Sequence, residues 1–175
     1  MQSEFGSPVA LSRSAAETGR ALDDGIVIAC GLALGAGMIH VAAAVDHLNH
    51  YWLHGVFFAV LAAGQLALSV GLYRSTRTHP LVIAIVTSLA VVMLWVLTRT
   101  SGLPVGPEPW HAEPVGPLDA VATADELLLA LLAALQLRGL SSEATMVACK
   151  RIAIAVGLVL ITLSALVLTG AKHTH

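Results

Sequence analysis

Residues 80 to 98 read Pro80-Leu-Val-Ile-Ala-Ile-Val-Thr-Ser-Leu-Ala-Val-Val-Met-Leu-Trp-Val-Leu-Thr98, a run without one charged side chain, closed by Arg99. A helix rises 1.5 Å per residue, so about twenty apolar residues cross a hydrocarbon core about 30 Å thick. Because that core offers no water to the backbone, the segment must satisfy its own N–H and C=O groups, which a helix does. The stretch therefore predicts a transmembrane helix. The same reading carried outward gives spans near 25–47, 52–73, 80–99, 118–138 and 151–170.

Composition agrees with the spans. Hydrophobic residues make up 57% of the 175, charged residues 11%, and mean hydropathy is +0.82. Soluble domains carry about a quarter charged residues, so the chain is read as an integral protein of the cell membrane, multi-pass, with the lipid bilayer as its first partner. A net charge of -2 gives no reason to expect nucleic acid. Cys30 and Cys149 do not form a disulfide framework. The expected fold is an all-α polytopic bundle of about five helices. Its parts are a flexible cytoplasmic tail over 1–24, one transmembrane domain over 25–170 with an outer proline-rich loop at 101–117, and a C-terminal tail at 171–175.

The breaks have local causes. Asn49 can cap a second helix, His79-Pro80 disfavours helix before the proline, and 101–117 holds Pro104, Pro107, Pro109, Pro114 and Pro117. Orientation follows the basic residues: Arg13, Arg20, Arg74, Arg77, Arg138, Lys150 and Arg151 fall on one side, Arg99 and Lys172 on the other. The positive-inside rule makes the first set cytoplasmic, with the N-terminus inside and the C-terminus outside. Every histidine except His79 then lies toward the outer face.

Four of the eight histidines sit between His40 and His54. His40 and His47 are seven residues apart and share one helix face, while His50 and His54 are four apart, the spacing of a chelating pair on adjacent turns. A tight turn at Leu48-Asn49 would bring Asp46 and His47 beside them. His47, His50 and His54, with His40 below and Asp46, Glu113 or Glu126 in support, are the expected ligands of a transition metal, copper before zinc. The competing reading makes His50 and His54 interfacial rings like Tyr51 and Trp52, and His40 a hydrogen-bond partner of Gln65 or Glu126. His173 and His175 could add to the site or belong to a frayed tail.

A second constellation is acidic. Asp119, Asp125 and Glu126 enter the fourth span, and an unpaired carboxylate as deep as Glu126 is costly. Arg99 is the expected partner of Asp125 or Glu126, with a proton relay or metal ligation as the alternatives. The proline-rich loop, with Trp110 at its centre, is read as a lid or a rigid connector. Gly31, Gly35 and Gly37 form a small-residue stripe that permits close helix approach.

The His-rich first hairpin, the loop Arg99-Thr-Ser-Gly-Leu-Pro-Val-Gly-Pro-Glu-Pro109 and the Asp-containing fourth helix resemble small polytopic membrane proteins of unassigned function, of actinobacterial type, over residues 25–137. The resemblance implies a helical membrane fold and brings no activity with it. The sequence holds no P-loop, dinucleotide fingerprint, Gly-x-Ser-x-Gly elbow or His-Glu-x-x-His helix. Metal handling or transport at the histidine cluster is the leading expectation. A haem ligated by His40 and a second histidine is the redox alternative. An accessory subunit that docks a membrane partner or a second copy of the chain is the third, and no residue pair identifies a substrate.

Overall fold

The computed structural model describes residues 8–75 and 78–139, together with Val147, Arg151 and Ile154. Among them the chain is all-helical: α1 Pro8–His50, α2 Trp52–Arg74, α3 His79–Thr100 and α4 Pro117–Leu137. Four segments are long and apolar enough to cross a membrane, Asp24–His50, Trp52–Arg74, His79–Thr100 and Asp119–Leu137. Four of the five expected spans are thus present within a few residues of the expected limits. The fifth, 151–170, lies outside the described residues apart from Arg151 and Ile154, as do Cys149, His173 and His175.

Residues 8–24, expected as a flexible tail, continue α1 toward the N-terminus. Pro8 suits a first helical position, and the Ala, Leu, Arg and Glu residues that follow are strong helix formers. A second correction concerns the first turn. Asn49 does not cap α2; it lies in the last turn of α1, where its Nδ2 donates to the Val45 carbonyl at 3.0 Å. The break falls at Tyr51, whose backbone is extended (φ -152, ψ 105) and whose N–H closes the α1 ladder onto His47 at 2.7 Å.

One residue thus reverses the chain, and the two helices must pack closely where they meet. A Cβ at Gly55 would lie 2.7 Å from the backbone nitrogen of Leu48, so a hydrogen is all that fits. Lower in the hairpin Gly37 meets Leu66, whereas Gly31 and Gly35 face open space. The expected glycine stripe therefore reduces to one contact.

α1 packs against α2 and α4, α3 packs against α4, and α2 and α3 barely touch. The core is made of Ala29, Leu32 and Ala33 from α1, Leu68 and Leu72 from α2, Ala84 from α3 and Leu128, Leu129, Leu132 and Ala133 from α4. Alanines against leucines let the backbones approach, as helix pairs in lipid require. α3 keeps Val82, Ile83, Val86, Leu89 and Met93 exposed. In water such a face would be a liability; in hydrocarbon it is the ordinary surface.

α4 begins with a defined cap. The Gly116 N–H donates to Asp119 Oδ2 at 3.1 Å, and Pro117 fills the first turn. The carboxylate also faces the positive end of the helix dipole. The loop before it is ordered by its backbone: Trp110 N–H donates to Leu103 O at 2.8 Å and Glu113 N–H to Thr98 O at 3.0 Å.

Candidate functional site

The end of α1, the start of α2, the end of α3 and the start of α4 enclose one cavity of about 160 Å³. Consecutive helices therefore alternate in direction, and this end of the bundle collects the histidines, the proline-rich loop and the acidic start of α4. His40, His47 and His54 line the cavity with Phe57, Phe58, Trp95 and Arg99, and Glu113 and Asp119 reach it as well.

The turn at Tyr51 decides which histidines meet. His50 ends α1 instead of opening α2, so His50 and His54 do not form the expected pair on one helix. The His50 ring is exposed, and its Nδ1 bonds the Asp46 carbonyl at 2.9 Å, within its own helix. As the Asp46 carbonyl accepts, Nδ1 donates. His47 takes the place of His50: its ring meets that of His54 edge to face, with centroids 5.8 Å apart. The Asp46 side chain is exposed and is not in the cavity wall.

His54 is held from two more sides. Tyr51 packs edge to face on it at 4.8 Å, and Gly106 of the loop closes over it, where a Cβ would stand 3.2 Å from the imidazole Cε1. Gly106 has φ +130, a conformation costly for residues with a Cβ. The enclosure leaves His54 Nε2 buried without a hydrogen-bond partner. A sealed imidazole nitrogen without a partner is an uncommon and destabilising arrangement unless something else engages it.

His40 belongs to a different layer. Phe58 stacks on His40 at 5.7 Å and on His47 at 4.9 Å. The two histidines are separated by about 10.5 Å of helix rise, so the phenyl ring stands between them. The deep, inward-facing histidine expected from its position is present, 4% exposed, and its Nδ1 lies 2.7 Å from Gln65 Oε1. Because that oxygen only accepts, Nδ1 carries the proton, leaving Nε2 as the nitrogen His40 could offer to a ligand. Gln65 in turn donates from Nε2 to Glu126 Oε1. His40, Gln65 and Glu126 thus tie three helices together through buried polar groups, and Glu126 Oε2 and Asp125 Oδ2 have no partner.

The structure corrects the partner of Arg99. Its guanidinium bonds Glu113 in the loop and Asp119 at the start of α4, the latter at 2.7 Å, and not Asp125 or Glu126. The reason is depth. Arg99 lies in the last turn of α3, level with the first turn of α4, while Asp125 and Glu126 are six and seven residues beyond Asp119, about 9 and 10.5 Å farther in. Glu126, expected in support of His47, His50 and His54, sits with His40 in the lower layer.

Sequence reasoning missed Phe58, Trp95 and the Glu113–Arg99–Asp119 bridge. Phe58 lies four residues after His54 and Trp95 four before Arg99, so helical spacing from either polar residue points to both aromatics. Among the described residues no three His, Cys, Asp or Glu side chains are grouped closely enough to hold a metal ion together. No family model, curated protein or solved structure was found to match the chain.

Proposed function

We propose that this multi-pass membrane protein binds a transition metal ion, copper first, between His47 and His54, for metal handling at the outer face of the membrane. The observation that carries the reading is the buried, partnerless Nε2 of His54, one ring away from His47 at the wall of a cavity. Centroids 5.8 Å apart suit two imidazoles on one ion, since each ring centre stands about 3 Å from a metal bonded at the usual 2.0–2.1 Å. Imidazole serves copper and zinc alike. Two protein ligands without a third favour copper in its reduced state, which accepts low coordination, and they leave room for exchange with a carrier.

Charge supports a cation. Arg99 faces two carboxylates, Glu113 and Asp119, so with neutral imidazoles this end of the cavity carries one net negative charge. His50 and Asp46 drop out of the proposed ligand set, and Glu126 and His40 form the layer beneath it. The experiment is elemental analysis of detergent-purified protein loaded with cuprous or zinc ion. One ion per chain is expected, lost in His47→Ala and in His54→Ala and retained in His50→Ala. Equal metal content in the first two variants and the unaltered protein would remove the reading.

A further inference from the structure

The cavity is much larger than an ion, and two side chains in its wall have a polar atom that a metal on His47 and His54 would leave unserved. Trp95 Nε1 and Arg99 Nε are both buried and lack a hydrogen-bond partner. Both can only donate, so whatever satisfies them brings acceptor oxygens. Beside the histidines, the two carboxylates, Thr98 and Thr123, the lining is apolar and partly flat, with Phe57, Phe58, Leu61 and Leu94. An engineered apolar cavity of about 150 Å³ takes one benzene molecule. The 160 Å³ here therefore matches a single six-membered ring with small substituents.

Charge narrows the ligand further. Glu113 and Asp119 occupy the terminal nitrogens of Arg99 and outnumber it, so an anion would meet net repulsion. A neutral ligand with an apolar ring and carbonyl oxygens avoids that repulsion and still accepts from Trp95 and Arg99. Access fits a lipid-dissolved molecule, because α2 and α3 barely touch and Phe57 of α2, a residue of the cavity wall, is 43% exposed.

We propose that this cavity binds a neutral, single-ring carbonyl compound from the bilayer, of the quinone headgroup class, with Trp95 Nε1–H and Arg99 Nε–H donating to its oxygens. The site does not depend on the metal reading. An ion on His47 and His54 would fill a small part of the volume and would use neither donor.

The test is equilibrium dialysis between protein-loaded and empty micelles. The two probes are duroquinone, whose methylated ring carbons resist thiol addition, and durene, the hydrocarbon of the same outline. Duroquinone is expected to bind saturably, one per chain, and durene at least about tenfold more weakly, the worth of one hydrogen bond. Trp95→Phe keeps the ring and removes the donor; it should weaken duroquinone about tenfold and leave metal content unchanged. Absence of saturable duroquinone binding, equal binding of durene, or undiminished binding by a folded Trp95→Phe would each overturn the proposal. If Trp95→Phe does not fold, the comparison of the two probes on the unaltered protein decides. A protein that holds metal but not duroquinone loses only this inference, and the reverse result loses only the metal site.

Discussion

The α1–α2 hairpin and the α3–α4 hairpin end at the same face of the bundle and are closed in opposite ways. The first turns on one extended residue, Tyr51, and is held by backbone proximity so close that Gly55 cannot carry a side chain. The second turns through residues 101–116, and its helices are fastened by a charged side chain, Arg99, to Glu113 and Asp119. A short connection sets its geometry through covalent reach. A long one leaves the ends free in principle, and side-chain bonds must define where they stop. The cavity lies between these two closures, with His47 and His54 supplied by the tight hairpin and Trp95 and Arg99 by the fastened one.

The sharpest way to break the contrast is Gly55→Ala. The new Cβ would press on the Leu48 backbone, which cannot turn aside as a side chain can, so a loss of about 3 kcal/mol is expected. Thermal unfolding in detergent should show the lowered midpoint, and a midpoint equal to that of the unaltered protein would mean the hairpin is less rigid than its geometry requires. Arg99→Leu attacks the other closure. It removes both bridges while Glu113 and Asp119 stay largely hydrated, so the expected loss is smaller, about 1–2 kcal/mol. Its mark is faster protease cleavage within 101–116 with α1–α2 left intact, and equal cleavage rates would show that the backbone bonds alone fix the loop.

The smallest effect has the opposite sign. Trp110 is exposed and has φ 62, a left-handed backbone that a bulky residue adopts at a cost of about 1–2 kcal/mol. Trp110→Gly should therefore stabilise the detergent-solubilised protein by up to about 1 kcal/mol, offset in part by the freer unfolded chain. A lowered unfolding midpoint would reveal that the indole contributes packing its exposure does not suggest. With Trp52, also exposed at this end, Trp110 is placed as an interfacial anchor, and membrane-embedded samples should show less of the gain than micelles.

Much of this architecture was legible in residue order. Apolar runs and prolines placed four spans to within a few residues, and the depth of His40 told that it must face protein and not lipid. The gap came where a single residue changes the phase of a helix. Moving the break from Leu48-Asn49 to Tyr51 shifts His50 from the second helix to the first, removes it from the proposed ligand set and leaves His47 as the partner of His54. Arg99 shows the same limit, since the choice among Asp119, Asp125 and Glu126 depends on how α3 and α4 align along their axes.

Alone, then, the order of residues determined that the chain forms helices long and apolar enough to cross a membrane and, within a few residues, where four such segments lie, because bilayer thickness and helix rise act on each segment separately. Only the tertiary structure decided that His47 meets His54, that Phe58 divides them from His40, and that Trp95 and Arg99 share their cavity. Those facts depend on rotation and offset between helices, which are set by packing across the bundle and are encoded in no single segment.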